Sequence, residues 1–241
     1  MTSPTPQDTG SSLTVALVLA GGMGSRMGRP KQFIELLGSP ALLYTLRVFE
    51  EASEVARIYA VGDCARIEEL VEEAGMNKYA GCSLPGESRS LSTRSGLSLL
   101  EEDSETVVLV HDGSRCLVTP CLIRRVVAAT VRDPGVAGVV PVTPVLDTIK
   151  TVENGIVLET LDRAKLYAAQ TPQAFRLGLL RKAYAGFEEH LCATTDDASL
   201  IERAGGRVLV VAGEKTNIKL TTPEDLIFAE AILGARRAVR S

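Results

Sequence analysis

Residues 15–33, VALVLAGGMGSRMGRPKQF, decide the fold. Val15, Leu17, Val18 and Leu19 form a short β-prone run without polar interruption, the pattern of a strand covered on both faces. Gly21, Gly22, Gly24 and Gly28 follow at once. Glycines admit positive φ and let a phosphate approach backbone N–H groups closely, while Arg26, Arg29 and Lys31 offer charge to its outer oxygens. The stretch therefore predicts a strand delivering an anion cradle suited to a polyphosphate. Two familiar phosphate loops do not fit. A P-loop needs lysine directly after its last glycine, but Gly28 is followed by Arg29-Pro30-Lys31-Gln32. A GxGxxG fingerprint begun at Gly22 and Gly24 meets Met27 where its third glycine should stand. A plain strand-to-helix turn is the remaining alternative, and the cations between positions 26 and 31 favour the cradle.

Outward from this stretch, strand and helix patterns alternate. A helix from Ala41 to Glu51 follows Gly38-Ser39-Pro40; then come a strand over Val55–Val61, a helix over Ala65–Ala74 and a helix over Leu91–Leu100. A buried strand over Thr106–Val110, a helix over Thr119–Val131 and a strand over Val136–Val142 continue the order. This predicts an α/β fold with a Rossmann-like, mostly parallel sheet flanked by helices. The rhythm breaks at DTIKTVENGIVLET (147–160), where Asn154-Gly155 between apolar residues predicts a β-hairpin arm, inserted at about 144–171. Helices over Leu177–Glu189 and Ala198–Ala204 and a strand over Arg207–Ala212 come next. Thr222-Pro223-Glu224-Asp225 opens the last helix, with an N-cap hydroxyl, proline at the first position and acids in the first turn.

The chain of 241 residues is long enough for a substantial core, and residues 13–241 are expected to form one domain behind a disordered tail, 1–12. That tail, MTSPTPQDTGSS, has neither the basic start nor the apolar core of a secretory signal. No apolar run approaches the ~20 residues of a membrane span, and a net charge of −4 disfavours nonspecific nucleic-acid binding. Neither a membrane nor a nucleic acid is therefore an expected partner. The five cysteines, at 64, 82, 116, 121 and 192, are odd in number and include no CxxC pair. Neither a disulfide framework nor a structural zinc site is expected, and a reducing cytoplasm fits.

The stretch 15–33 resembles the signature LAxGxGxRMG…PKQF of nucleotidyltransferases that join a sugar or polyol phosphate to a nucleotide. The resemblance continues, in order, through GESRSLSTRSGL (86–97), VHDGSR (110–115), PVLDTIK (144–150), DRAKLYAAQTPQAF (162–175), TDDAS (195–199) and NIKLTTPEDL (217–226). On these motifs the chain is most similar to the 2-C-methyl-D-erythritol 4-phosphate cytidylyltransferase family. The resemblance implies transfer of CMP from CTP to that polyol phosphate, Mg2+ or another divalent cation as cofactor, and a homodimer formed through the arm. It also implies roles by position. Arg26, Lys31 and Lys219 would be catalytic. Ala20, Gly21, Gly22, Gly24, Gly86, Glu87, Ser92 and Asp112 would bind nucleotide, and Asp112 would also serve the metal. Arg115, Thr148, Arg163 and Thr171 would bind the acceptor, with arm residues coming from the second subunit. His111 ends the buried run VVLVH and receives no catalytic role, and Arg89 is expected to support its turn by ion pairing. Ribitol 5-phosphate cytidylyltransferases share most of these motifs, and a non-catalytic nucleotide-binding paralogue would keep the same fold.

Three departures stand out. HDGSRC (111–116) replaces the family's usual HDAARP, removing a proline and predicting flexibility at Gly113. Leu146 stands where a basic residue is common. The segment from Arg26 to Lys31 is shorter than in many relatives.

Overall fold

A computed structural model of the chain describes residues 13–22, 30–187, 191 and 194–240. The expectations for the tail 1–12, for Gly24 and for Arg26 lie outside the described residues. In chain order the elements are β1 (Thr14–Leu19), a 3-10 turn (Lys31–Phe33), β2 (Glu35–Leu36), β3 (Ser39–Pro40), α1 (Ala41–Glu51), β4 (Arg57–Val61), α2 (Cys64–Glu73) and β5 (Tyr79–Ser83). They continue with α3 (Arg89–Leu97), β6 (Val107–Asp112), α4 (Pro120–Arg132) and β7 (Gly138–Pro144). The arm consists of β8 (Lys150–Glu153) and β9 (Ile156–Thr160), and after it come β10 (Tyr167–Ala169), β11 (Gln173–Arg176), α5 (Leu177–Gly186), α6 (Asp197–Arg203), β12 (Val208–Ala212) and α7 (Pro223–Arg240).

The main sheet has eight strands. β5, β4, β1 and β6 lie side by side and parallel, and β12 is parallel to β7. β11 is inserted between β6 and β7 and is antiparallel to both, and β10 pairs antiparallel with the far end of β7. The sheet is mostly parallel, as the alternating pattern predicts, but two antiparallel strands are added where the chain returns from the arm. Alternate residues of β1 point to opposite faces. Ala16 and Val18 pack in one core with Leu46 and Phe49 of α1, Ile67 of α2 and Val126 of α4. Val15 and Leu17 pack in a second core with Phe175 of β11, Leu180 of α5 and Ile201 of α6. Two covered faces explain the run with no polar interruption.

Local chemistry sets the helix starts. Ser88, Thr119 and Asp196 accept the backbone N–H of Leu91, Leu122 and Ser199 and so cap α3, α4 and α6. At α7 the predicted Thr222-Pro223 start holds, with Asp225 as the capping acid: its Oδ2 accepts from the N–H of Thr221 at 2.7 Å and of Thr222 at 2.8 Å. In the arm, Asn154 and Gly155 have φ of 50° and 80°, the paired positive values of a tight hairpin turn. α3 begins two residues before its predicted start and ends at Leu97, and α5 ends at Gly186. One expectation is overturned outright: Cys64 and Cys82 form a disulfide. Cys64 opens α2 directly after β4, Cys82 lies in β5, and the parallel β4–β5 pairing brings their Cα atoms to 5.6 Å, within bridging range.

Candidate active site

From β1 the chain steps through α1 to β4 and through α2 to β5, and then α3 carries it back to β6 on the other side of β1. Direction therefore reverses between β1 and β6, and a crevice opens over their carboxyl ends, where ligands gather in such sheets. A cavity of about 450 Å³ lies there. One wall is Ala20, Gly21 and Gly22 with Lys31. The buried Gln32 secures that wall, its Nε2 donating to the Ala20 carbonyl at 2.6 Å. The opposite wall is Pro85, Gly86 and Glu87 at the start of α3. Ser92 Oγ accepts from Gly86 N at 3.2 Å and donates to the Ser88 carbonyl at 2.9 Å, so it holds this wall in shape. A Cβ on Gly86 would stand 2.5 Å from Leu91 Cβ, whereas one on Gly22 would meet no atom of the described residues within 4 Å.

The floor carries the charge. Asp112, at the end of β6, takes Arg89 Nε on Oδ1 at 3.0 Å and Lys219 Nζ on Oδ2 at 2.7 Å, with Arg115 Nε at 3.7 Å. Burial by itself would push the Asp112 carboxyl up, but the charges of Arg89 and Lys219 outweigh it and hold the group far below the usual carboxylate range. Burial likewise disfavours the Arg89 cation, yet Asp197 and Asp112 more than restore it. A second cavity of about 210 Å³ adjoins the first and shares Arg89, Asp112 and Lys219 with it; Arg115 and Thr171 line only this second one. Thr171 Oγ1 accepts from Asp112 N at 3.0 Å and bonds His111 Nδ1 at 3.0 Å, while His111 Nε2 meets the Arg115 carbonyl at 3.2 Å. The consistent proton assignment is a neutral imidazole protonated at Nε2, donating to that carbonyl and accepting the threonine proton. Burial drives this histidine's pKa down to about 3.

The expected residues thus fall into three groups. Ala20, Gly21, Gly22, Lys31, Gly86, Glu87, Ser92, Asp112 and Lys219 surround the larger cavity, and Arg115 and Thr171 the smaller. Thr148 and Arg163, in the arm, line neither; Arg163 Nη1 donates to the Leu146 carbonyl at 2.8 Å. Gly113, where the sequence predicts flexibility, is hydrogen-bonded on both sides: its N–H donates to Leu19 O at 2.8 Å and its carbonyl accepts from Thr45 Oγ1 at 3.1 Å. Sequence reasoning assigned no site role to Asn217. This buried residue gives Nδ2 to the Thr171 carbonyl at 2.9 Å and its own carbonyl to Arg115 at 2.9 Å, two residues ahead of Lys219. Asp197 was visible only as part of the motif TDDAS.

A nucleotidyltransferase is the class this sheet and cation-floored crevice define. The chain belongs to the 2-C-methyl-D-erythritol 4-phosphate cytidylyltransferase (IspD) family, whose model matches residues 14–235. A protein of that name from Rubrobacter xylanophilus is 63% identical over 222 residues, covering 92% of this chain and 95% of that one. Another from Geobacillus kaustophilus is 43% identical over 228 residues, covering 92% and 98%. Among solved structures, the 4-diphosphocytidyl-2C-methyl-D-erythritol synthase of Anaerococcus prevotii superposes with a TM-score of 0.80 at 32% identity, covering 93% of this chain and 97% of that one. The Francisella tularensis 2-C-methyl-D-erythritol 4-phosphate cytidylyltransferase gives 0.79 at 30% identity, covering 91% and 99%.

Proposed function

We propose that this chain carries out the family's CTP-dependent step of non-mevalonate isoprenoid synthesis, moving CMP from CTP to 2-C-methyl-D-erythritol 4-phosphate and releasing pyrophosphate. The observation that carries this reading is the pair of cavities meeting at Asp112, Arg89 and Lys219, the larger suited to a nucleotide and the smaller to a polyol phosphate. An acceptor phosphate oxygen attacks the α-phosphorus, forming one P–O bond as the bond to the α–β bridging oxygen breaks. With a second pKa of about 6 the acceptor is already largely a dianion, so the reaction needs no side-chain base. His111, buried with both ring nitrogens engaged, is placed to hold Thr171 and the Arg115 loop. Catalysis is then a matter of bringing two anions together and stabilising added charge. Lys31, together with Arg26, acts from the nucleotide side. Lys219 acts from the seam, with Arg115 and Thr171 on the acceptor side. The Ala20–Gly22 backbone, together with Gly24, receives the triphosphate, and Gly86 and Glu87 face base and ribose, with Ser92 shaping their loop.

Magnesium is the proposed cofactor. Among the described residues no three His, Cys, Asp or Glu side chains cluster closely enough to hold an ion alone. A lone carboxylate fits magnesium, which keeps several waters and binds through one or two carboxylates plus substrate phosphates. Asp112 would hold it by exchanging its contact with Lys219, and the ion would neutralise triphosphate charge as pyrophosphate departs.

The proposed working unit is a homodimer. A lone two-stranded hairpin is marginal in water, and in this arm Leu146, Ile156 and Leu158 are 68%, 68% and 63% exposed. A second copy covering them would bring Thr148 and Arg163 to its neighbour's acceptor cavity. A cytoplasmic location goes with the family's metabolic step, while the Cys64–Cys82 bridge removes the cysteine argument for a reducing compartment; among the described residues no helix is long and apolar enough to cross a membrane.

The test is pyrophosphate release with CTP, magnesium and either methylerythritol phosphate or ribitol 5-phosphate. Release with the first is expected. Release with ribitol phosphate alone would reassign the acceptor, and silence with both, despite CTP binding, would leave a nucleotide-binding protein.

A further inference from the structure

We propose that Arg89, Asp197 and Tyr184 form a positioning relay that fixes the Asp112 carboxylate at the seam of the two cavities, so that the transfer step depends on groups reaching back into α5. The inference rests on the transferase reading above. Asp197, the first residue of α6, is fully buried and lines neither cavity. Its Oδ2 accepts from Arg89 Nη1 at 2.7 Å and its Oδ1 from the Tyr184 hydroxyl at 2.6 Å. Both oxygens are therefore held by side chains, and the first turn of a helix favours the negative charge. A carboxylate so placed touches no substrate; it holds the Arg89 guanidinium from behind.

Arg89 in turn lines both cavities and gives Nε to Asp112 Oδ1 at 3.0 Å. Asp112 cannot rotate without breaking that charge-assisted bond, so its Oδ2 stays turned into the seam, where it meets Lys219 Nζ at 2.7 Å. The planar guanidinium spans two carboxylates at fixed angles, which an ammonium cannot reproduce. The remaining nitrogen, Nη2, is buried and has no hydrogen-bond partner among the described residues, where the fork is seated by its two acids. Loosening Asp197 or Tyr184 releases Asp112 by a fraction of an ångström to about 1 Å, and displacements of that size cost up to about 10²-fold in rate. The glycine wall and Lys31 carry most of the grip on CTP, so a small shift of Asp112 alters the reacting geometry far more than it alters nucleotide binding.

The experiment measures kcat for pyrophosphate release and, separately, the Kd of CTP without acceptor, in wild type, Tyr184→Phe, Asp197→Asn, Arg89→Gln, Arg89→Lys and the Asp197→Asn/Arg89→Gln double variant. We expect kcat to fall about tenfold in Tyr184→Phe and about 100-fold in Asp197→Asn and Arg89→Gln, with CTP affinity within about twofold of wild type in Tyr184→Phe and Asp197→Asn, whose side chains line neither of the two cavities. Arg89→Lys should rescue less than about threefold, and the double variant should be no worse than Arg89→Gln, because the residues act as one unit. Circular dichroism and thermal melts establish which variants fold. The proposal is overturned if kcat stays within about threefold of wild type in the folded variants, if CTP affinity falls in step with kcat in Tyr184→Phe or Asp197→Asn, or if the two effects multiply. Should the charge-altering variants not fold, Tyr184→Phe, which loses one hydroxyl and keeps its ring, decides alone by the same thresholds. A wild type silent with both acceptors overturns the transferase reading and this inference together, whereas an active wild type with unaffected variants overturns this inference alone.

Discussion

Replacing Gly22 by alanine separates a glycine needed by a ligand from one needed by the fold. A Cβ at Gly22 meets no atom of the described residues within 4 Å, and its φ lies outside the left-handed region, so no described contact requires a glycine there. Alanine at such a position stabilises by about 0.4–1 kcal/mol through the unfolded state. For a chain of this size that leaves Tm unchanged or raises it by up to about 4 °C. If Gly22 is instead where a triphosphate oxygen meets the backbone, the added methyl displaces it and removes a charge-assisted hydrogen bond worth about 1.5–3 kcal/mol. That corresponds to about 10- to 150-fold weaker CTP binding. Gly86→Ala is the counterpart. Its Cβ would sit 2.5 Å from Leu91 Cβ and 2.8 Å from Leu91 C. Reaching an ordinary contact of about 3.5 Å means moving the start of α3 by about 1 Å, at a cost of about 1–3 kcal/mol. The Tm should fall by about 2–12 °C. Calorimetric CTP titration and thermal melts of both variants provide the readout. Gly22→Ala binding CTP within twofold of wild type would refute phosphate approach at that position, and melting as early as Gly86→Ala would refute the claim of open space.

Three further outcomes follow from other parts of the molecule. His111 has a folded pKa of about 3 against roughly 6.5 unfolded, so the unfolded chain binds the proton first and stability falls as pH drops from 6.5 towards 3, by about 1.4 kcal/mol per unit. Urea titrations at pH 7, 6 and 5 should show a slope one proton shallower in His111→Gln; equal slopes would mean that the imidazole protonates in place. The Cys64–Cys82 bridge closes a sequence separation of 18, worth about 3 kcal/mol on chain-entropy grounds, so dithiothreitol should lower the wild-type Tm and leave Cys64→Ser unchanged; a wild-type melt indifferent to reductant counts against the bridge. Ile156→Asp, at a side chain 68% exposed in the single chain, should shift sedimentation from dimer to monomer and remove the concentration dependence of Tm; a variant that still sediments as a dimer counts against the arm as the interface.

What the sequence carried depended on whether one segment holds its own signal. β1 and β6 were legible because strands covered on both faces keep their apolar runs intact, and the arm because Asn154-Gly155 fits only a narrow range of turns. β5 was not legible. Tyr79-Ala80-Gly81-Cys82-Ser83 has little strand preference and is held at the sheet edge by β4 alone. The antiparallel sense of β11 leaves no mark in Gln173–Arg176, since strand direction is set by where the arm returns the chain. The ion pair expected of Arg89 has a partner the sequence does not name, because Arg89 and Asp197 meet across 108 positions. The disulfide escaped because an odd cysteine count tests for a framework, whereas this bridge needs only β4 beside β5. Lys219 was assigned through its motif, and its chemistry became visible only with Asp112 at 2.7 Å.

The arm leaves the sheet and re-enters it on one rung, because Tyr167 of β10 pairs with Pro144 of β7, and Val145 N still bonds Leu166 O at 3.1 Å just beyond. Everything between is a cassette. Its length can change, or the whole excursion be replaced by a short turn, without altering the register of any strand that carries Asp112, Thr171 or Phe175, and loop-closure cost grows only slowly with length. The arm and the core architecture are thus encoded in separable pieces of the same chain, which lets one be redesigned while the other is left in place.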